Sequence, residues 1–538
     1  MKATDRGFLD SGGFAASARN DGMGNGQGVD VTENETRDEW TLPDSWVWTT
    51  LENCIDVLDG QRVPVNASGR DARIAGRHSS ELYPYYGATG QVGWIDDYLF
   101  DEELVLLGED GAPFLQALKD KAYIIRGKSW VNNHAHVLRA IAGLMENSLL
   151  CHYLNTADYH DYVTGTTRLK LNQSRMRKIS VPLAPLPEQR RIVAAIETQF
   201  TRLDAGVAAL GRARANLKRY RATVLKAACE GRLVPTEAAL ARAEGRDYEP
   251  ADQLLARILA ERRARWEAEH PGKRYVESAA PDTGSSSELP EGWTYTAIAP
   301  LLSTARAGMR TGPFGSLLKK HEHRTEGVPV LGIENIGSVG YVPGSKIHIT
   351  EKKAEQLSQY DVQPDDILVS RSGTVGEVCV IPDGVGKARM STNVMRIVLE
   401  PDGMTPKFFW LLFKGSPPVL DQVSELCSGS TRDFLNQTIL SSLIFPLPPL
   451  AEQRRIVAEV ERRLSVVAAL EREVEAALAR AARLRQSILK RAFEGRLVLQ
   501  DPNDEPAAVL LERIRAAREA LATGGKKRRT RQMPLPMM

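Results

Sequence analysis

The chain has 538 residues, 42% of them hydrophobic and 26% charged, with 70 Lys+Arg against 68 Asp+Glu. That length exceeds one typical domain, and the composition is that of a soluble globular protein. A formal charge of +2 excludes a bulk polycation, so any affinity for nucleic acid has to come from local clusters. No uninterrupted apolar run is long enough to span a bilayer. The N-terminus lacks the apolar segment of a signal peptide, so a cytoplasmic protein is expected. The five cysteines (Cys54, Cys151, Cys229, Cys379, Cys427) are scattered, odd in number and include no Cys-x-x-Cys. They support neither a disulfide framework nor a zinc site.

Residues 1–39 read as a disordered extension rich in Gly, Asp and Asn. The spaced glycines of Gly22-Met-Gly-Asn-Gly-Gln-Gly28 follow no strand and open no helix, which marks a flexible tail and not a nucleotide loop. Structure is expected from Leu42-Pro-Asp-Ser-Trp46 onward. The region 40–184 lacks helical periodicity and holds β-prone runs such as Tyr123-Ile-Ile125, with turns placed at Gly87, Gly90, Gly93, Gly108 and Gly111. Pro182, Pro185 and Pro187 are then expected to stop any strand and start a helix. A helical region follows over 185–277, and Ser278-Ala-Ala-Pro-Asp-Thr-Gly-Ser-Ser-Ser287 is a linker by composition within 278–288.

The second half restarts at Leu289-Pro-Glu-Gly-Trp293. Its globular region, 289–448, has short runs at Val328–Gly332, Asp366–Ser370, Val378–Ile381 and Val394–Val398, turns at Gly373 and Gly376, and a helix over Pro406–Phe413. Pro446, Pro448 and Pro449 lead into a second helical region over 449–522. The remainder, 523–538, is a basic tail containing Lys526-Lys-Arg-Arg-Thr-Arg531, suited to nonspecific phosphate contact or to a solvated end.

One pattern is written twice. Pro185-Leu-Pro-Glu-Gln-Arg-Arg-Ile-Val193 returns as Pro449-Leu-Ala-Glu-Gln-Arg-Arg-Ile-Val457, and Glu230-Gly-Arg-Leu-Val234 returns as Glu494-Gly-Arg-Leu-Val498, both 264 residues later. Between these marks runs a 3.5-residue apolar repeat. In the first copy it is Val193, Phe200, Val207, Arg214, Arg221 with Ile196, Leu203, Leu210, Leu217, Val224. In the second it is Val457, Leu464, Glu471, Leu478, Arg485 with Val460, Val467, Val474, Ala481, Ile488. Such a seam needs a partner helix, and the other copy is the obvious one. A pseudo-twofold relation would make the pair antiparallel. A helix of about 42 residues is roughly 63 Å long, on the order of 18 base pairs of B-DNA, so the coil could serve as a ruler. The charged seam residues Arg214, Arg221, Glu471 and Arg485 are expected to fix register and direction by pairing across it. Gly231 and Gly495 are the expected terminators. The matched pieces Glu249–Ile258 and Glu505–Ile514 are amphipathic, suited to folding back or to docking a partner. The fold class expected is α+β: two mixed, β-rich domains joined by two long helices in an antiparallel coiled coil, as a pseudo-twofold repeat.

The sequence resembles the specificity subunits of type I restriction-modification systems. The resemblance rests on the duplicated Pro-Leu-x-Pro-Leu-x-Glu-Gln-Arg-Arg-Ile-Val, the duplicated Glu-Gly-Arg-Leu-Val and Gln500-Asp-Pro-Asn-Asp-Glu-Pro506. Tyr86-Gly-Ala-Thr-Gly90, Trp130–His136, Gly312-Pro-Phe-Gly-Ser316 and Arg371-Ser-Gly-Thr-Val-Gly376 add to it. It covers about residues 40–522. It implies a non-catalytic subunit with two target recognition domains reading a bipartite, asymmetric double-stranded DNA target. It also implies assembly with two methyltransferase (modification) subunits and with restriction subunits. S-adenosylmethionine would be held by the methyltransferase subunits, so no cofactor is expected in this chain.

Catalytic alternatives are poorly supported. No Asn-Pro-Pro-Tyr/Phe motif and no Walker loop occurs. Pro364-Asp-Asp366 has the start of a nuclease carboxylate motif but no Glu-x-Lys follows, which favours a turn. His134 and His136 would share a strand face, with no nearby Cys or acidic pair to complete a metal site. A coiled-coil adaptor that binds protein and not DNA is the rival reading. DNA contacts are expected from loops, where Arg, Lys and amides meet phosphates and polar side chains meet base edges. In the first domain the candidates are Tyr85, Tyr86, Thr89, Gln91, Lys128, Thr166, Thr167 and Arg168. In the second they are Arg310, Thr311, Ser316, Lys319, Lys320, Arg371, Ser372, Thr374, Thr431 and Arg432. Arg168 and Arg432 occupy matched positions, which suits phosphate better than sequence readout. The polar Glu188–Arg191 and Glu452–Arg455 are candidates for fastening domain to helix or for meeting the methyltransferase.

Overall fold

A computed structural model describes residues 41–278, 281, 288–314, 317–371, 375–427 and 435–529, with side chains as far as 520. The N-terminal extension, most of the linker, Gly373 and the end of the basic tail lie outside these residues. The tail's 526–529 continue a helical backbone.

In chain order the first globular region holds β1 (Val47–Thr50), β2 (Ile55–Val57), α1 (Ala67–Ile74), β3 (Tyr83–Gly87), β4 (Gly90–Ile95), β5 (Phe100–Asp101), β6 (Leu104–Gly108), β7 (Ala122–Ile125), β8 (Lys128–Val131), β9 (Ala135–Ala140), α2 (Asn147–Thr156), α3 (Gln173–Met176) and β10 (Ser180–Leu183). The helices α4 (Leu186–Cys229), α5 (Glu237–Glu244) and α6 (Ala251–Glu269) follow. The second region holds β11 (Thr294–Ala297), β12 (Met309–Thr311), β13 (Val328–Leu331), β14 (Ile336–Gly337), β15 (Gly340–Tyr341), β16 (His348–Ile349), α7 (Glu351–Gln356), β17 (Asp361–Val362), β18 (Ile367–Ser370), β19 (Val378–Val380), β20 (Ala388–Met390), β21 (Val394–Ile397), α8 (Pro406–Gly415), α9 (Pro417–Cys427), α10 (Gln437–Ser442) and β22 (Ile444–Leu447). The chain ends with α11 (Leu450–Phe493) and α12 (Ala507–Arg529). Among the described residues no helix is long and apolar enough to cross a membrane.

The chain packs as two units, residues 1–198 with 486–538 and residues 199–485. The division falls inside α4 and α11, so the segments read in chain order are not the packing units. In the first unit β1 pairs antiparallel with β10, Val47 opposite Leu183, and the strand entering the domain closes on the strand leaving it. Two four-stranded sheets, β2-β9-β6-β7 and β4-β3-β8-β5, complete it, with β3 and β8 parallel. The second unit repeats this plan on a different sequence. β11 pairs with β22, the sheets are β12-β21-β18-β19 and β16-β13-β20-β17, and β13 and β20 are the parallel pair. The hairpin β14–β15 is additional.

Two expectations need correction. Pro182 and Pro446 do not stop strands; they lie inside β10 and β22, opposite Trp48 and Tyr295. Each sheet there has two strands, so one side of every strand is an edge where a missing N–H breaks no ladder. Gly93 lies within β4, and Gly87 and Gly108 end β3 and β6, so these glycines are strand residues and not turns.

α4 and α11 each run 44 residues, about 66 Å at 1.5 Å per residue. Each ends two residues before a glycine in the left-handed region, Gly231 (φ 66°) and Gly495 (φ 68°). A Cβ on Gly231 would sit 2.6 Å from Pro290 Cγ, and one on Gly495 would sit 2.4 Å from Pro43 Cγ. Positive φ and close approach both require glycine, and the duplicated Glu-Gly-Arg-Leu-Val thereby seats against the duplicated Leu-Pro-x-x-Trp.

Within 199–485 the long helices are antiparallel. Arg221 bonds Glu471 at 2.9 Å, Arg214 bonds Glu475 at 3.1 Å and Asp204 meets Arg485 at 3.2 Å, so numbers rise along one helix as they fall along the other. Val224, Val460, Val467 and Val474 fill the seam. Val207, read as a seam residue, is 38% exposed, because a two-helix pair encloses one stripe only. Partly exposed ion pairs contribute at most about 1 kcal/mol each, so they select direction more than they hold the coil. The two amphipathic pieces fold back. α6 buries Ala251, Leu254 and Ile258, and α12 buries Ala507, Leu510 and Leu511. The Ala251 N–H donates to Gly292 O and the Ala507 N–H to Ser45 O, each at 2.8 Å.

Candidate nucleic-acid interface

The duplicated Glu-Gln opens each long helix and is buried in both copies. Glu188 accepts from Trp46 Nε1 (3.0 Å) and from Gln500 Nε2 (2.6 Å). Glu452 accepts from Trp293 Nε1 (2.9 Å) and from the Glu237 N–H (2.7 Å). Every partner is a donor, which a carboxylate satisfies at both oxygens and a glutamine would not. Burial, opposed by these bonds, holds both carboxyls above the usual glutamate range. Gln189 accepts from the Glu146 N–H and donates to Leu144 O and Ala184 O. Arg191 reaches Asp504 at 2.7 Å, and Arg455 pairs with Glu237. These residues fasten a domain to its helix. The exposed Arg190 is held by Glu146 at 2.8 Å.

In the first domain the candidates fall into separate groups. Thr89 and Gln91 are exposed where β3 turns into β4. The end of β6 approaches this turn, since a Cβ on Gly108 would lie 3.1 Å from Ala88 O. Beside it, Arg168 and His134 share Asp110, at 2.9 and 2.7 Å. Thr167 and Arg168 are exposed on a loop closed by reciprocal Thr164–Lys170 backbone bonds. Thr89, Gln91, Thr167 and Arg168 therefore belong to one end of the domain, with polar side chains and Gly-rich backbone that suit groove edges and phosphates. Lys128 does not join them. It starts β8 level with Tyr83, and its Nζ lies over the Tyr98 ring at 4.6 Å. The Tyr83 and Tyr98 rings stand 5.2 Å apart. Tyr86 is half-buried against Tyr123.

Tyr85 is corrected from a DNA candidate to a core residue. It is 1% exposed, its hydroxyl donates to Val65 O and accepts from the Val65 N–H, and Arg70 covers its ring at 4.5 Å. Sequence reasoning missed Trp94 and Tyr98, both exposed. The polar neighbours Gln91, Asp96 and Asp97 were the available signal for an outward-facing stretch.

In the second domain Arg310 and Thr311 lie on β12, half-buried, bonded to Gln359 and Gln437. Lys319 and Lys320 are exposed at a single helical turn whose Lys319 N–H donates to Glu322. Arg371 is buried, with its guanidinium 5.0 Å from the Phe314 ring centroid, so it is corrected from an exposed loop contact. Ser316, Ser372, Thr374, Thr431 and Arg432 lie outside the described residues.

One further cluster gathers metal-ligand chemistry: Asp59, Glu109 and His136. From the sequence no acidic pair is evident near the histidines. The fold supplies one because β9, which carries His136, lies between β2 and β6, and Asp59 and Glu109 follow those strands. Protein donors fill the cluster. Asp59 accepts from the Val137 N–H (2.8 Å) and Gln173 (3.0 Å) and meets His136 Nδ1 (2.7 Å), while His136 Nε2 faces Leu171 O. Arg62 binds Glu109 at 2.8 Å, placing a guanidinium among the acids. The cluster is a structural network. Burial would raise the Asp59 carboxyl, but the His136 bond, the Val137 amide and Arg62 outweigh it and the net shift is downward. A lowered folded pKa stabilises above the ordinary aspartate range and loses that contribution as pH falls through the folded value. Wild-type protein is expected to lose stability on acidification below about pH 4. Asp59→Asn should lower stability at neutral pH and flatten that acid slope, read from denaturant midpoints between about pH 3 and 7. An unaltered slope would contradict the network.

A family model described as type I restriction modification DNA specificity domain matches residues 77–206 and 314–479, more than half of the chain. The type I restriction enzyme EcoBI specificity subunit of Escherichia coli is 26% identical over 375 residues, 68% of this chain and 69% of that protein. The EcoDI specificity subunit, also of Escherichia coli, is 25% identical over 503 residues, 90% of this chain and 98% of that one. Among solved structures, a chain from a study of complex assembly and conformational transition in the type I R-M system superposes with a TM-score of 0.56. It is 19% identical, and the match covers 85% of this chain and 99% of that chain, a likeness of fold.

Proposed function

Since the chain belongs to the type I restriction-modification DNA specificity family, we propose that it is the non-catalytic subunit that gives such a complex its DNA target. Each globular domain reads one half of a bipartite, asymmetric sequence, and the antiparallel helices set the spacing. The observation that carries this reading is one strand order built twice from different residues. A shared frame with unlike surfaces suits two unlike half-sites. Thr89, Gln91, Thr167 and Arg168 are the described first-domain residues best placed for contact. Arg310, Thr311, Lys319 and Lys320 are the described candidates in the second, with Ser316, Ser372, Thr374, Thr431 and Arg432 as further candidates. Lys128 remains a first-domain candidate at a different place on its surface, while Tyr86 lies opposite Gln91 in the hairpin and adjoins the group.

The subunit positions two methyltransferase subunits so that an adenine in each half-site is flipped out for modification, and restriction subunits join for cleavage. S-adenosylmethionine belongs to the methyltransferase subunits. A salt titration of DNA binding by the chain with its methyltransferase tests this. Recognition predicts tight binding to one target and log affinity falling linearly with log salt. A protein-binding adaptor predicts neither. Chain alone, given S-adenosylmethionine and DNA, is expected to show no turnover.

A further inference from the structure

Local charge is far from even along the first long helix. Between Ala205 and Cys229, α4 carries Arg212, Arg214, Lys218, Arg219, Arg221 and Lys226 and no acid at all. In the matching stretch of α11, 264 residues on, Glu471, Glu473 and Glu475 precede a shorter acid-free run that carries Arg480, Arg483, Arg485, Lys490 and Arg491. The acid-free run thus spans 205–229 on α4 and only 476–493 on α11. Arg214 and Arg221 are engaged by Glu475 and Glu471, and Lys226 lies 3.9 Å from Glu230. Arg212, Lys218 and Arg219 are exposed and have no acidic partner among the described residues; Arg219 donates to the Asn216 amide oxygen.

Position sharpens the point. Arg212 and Arg219 follow the seam residues Leu210 and Leu217 by two, about 200° around the helix, so they face away from the partner helix. Ala205, Arg212, Arg219 and Lys226 fall seven apart on one line. Its flanks are Ala208, Ala209, Ala215, Asn216, Ala222 and Thr223, all exposed. The face is a row of cations on a bed of small side chains. A docking protein needs aromatic or large apolar anchors; this line and its flanks offer none, and the exposed Tyr220 stands about 100° around the helix from Arg219. A polyanion needs reachable cations and unobstructed approach, which it has. Seven residues advance about 10.5 Å, close to three base pairs of DNA, so Arg212 to Lys226 covers on the order of six.

We propose that Arg212, Lys218, Arg219 and Lys226 on the outward face of α4 form a sequence-independent phosphate-binding stripe for the DNA that neither recognition domain reads. The stripe rests on the recognition reading above and adds affinity without specificity, since phosphate contacts fix position and carry no base information.

The test uses the full chain assembled with its methyltransferase subunits. Two duplexes serve as probes, one carrying the target mapped by adenine methylation and one lacking it, each titrated across salt. The triple variant Arg212→Gln/Lys218→Gln/Arg219→Gln keeps helix propensity. Its affinity is expected to fall by a similar factor on both duplexes, with a salt slope shallower by about 2–3. Arg462→Gln/Arg472→Gln/Arg480→Gln removes the same charge from α11 at cations that sit beside Glu459, Glu471 and Glu473, and should leave the slope near wild type. A triple variant with the wild-type slope overturns the stripe, as does one that loses the methyltransferase while its DNA slope is unchanged. A wild-type complex without target preference defeats the recognition reading instead, and the stripe is then judged on the unrelated duplex alone.

Discussion

Replacing Gln453 with leucine is expected to destabilise the unit formed by residues 199–485 by about 3–5 kcal/mol. The side chain is fully buried. Its Oε1 accepts from the Thr405 N–H (2.8 Å), and its Nε2 donates to Gly403 O (3.1 Å) and Pro448 O (3.0 Å). Leucine is close in volume, so the loss comes from three stranded backbone groups, at about 1–3 kcal/mol each before relaxation. Thr405 also caps α8 through its hydroxyl, so its loosening reaches the domain core. Gln453→Glu keeps the acceptor for Thr405 but turns a carboxylate toward two carbonyls, and should be no better. The measurement is the denaturant midpoint followed by tryptophan fluorescence, with Gln189→Leu as the matched change in the other unit. A loss under about 1 kcal/mol would contradict the junction as described.

Asp366→Ala should cost about 2–4 kcal/mol in the same unit. Asp366 is buried, accepts from the Gln363 N–H (2.8 Å) and grips Arg306 at 2.8 and 3.2 Å. Arg306 also reaches Asp361, which binds the buried Arg396 at 2.7 Å. Removing one acid leaves two guanidiniums to one carboxylate. The cost stays below that of a wholly enclosed pair because Arg306 keeps 26% of its side-chain surface and some hydration. Asp366→Asn retains an acceptor for Gln363 and should lose less. Equal stability of the alanine variant would show that the network is not needed. The sequence reading of Pro364-Asp-Asp366 as a turn is right for Asp365, the described non-glycine residue with positive φ. Asp366, its neighbour, is an ion-pair member that no local pattern announces.

What was legible followed from repetition. Two copies of Glu-Gln-Arg-Arg-Ile-Val and of Glu-Gly-Arg-Leu-Val located both long helices and their terminators, and a seam with alternate apolar positions implied a helical partner. The internal repeat also implied its antiparallel direction, which the seam pairs Arg221–Glu471 and Arg485–Asp204 bear out. The common strand order of the two domains was hidden, because a sheet accepts many sequences that keep an apolar face. Tyr85 was misread because adjacent tyrosines straddle a register shift between Tyr85 and Tyr86, which no spacing rule locates. The Asp59–His136 network joins residues 77 apart, a distance that local reading cannot bridge.

The division of labour between two domains is tested most directly by exchanging residues 40–184 for the equivalent segment of another specificity subunit. Methylated adenines are then mapped in a genome carrying the hybrid and the modification subunit. A bipartite target is expected in which one half-site changes, while the other half-site and the spacer length stay as in the parent. A continuous target, or a change in both half-sites, would contradict it.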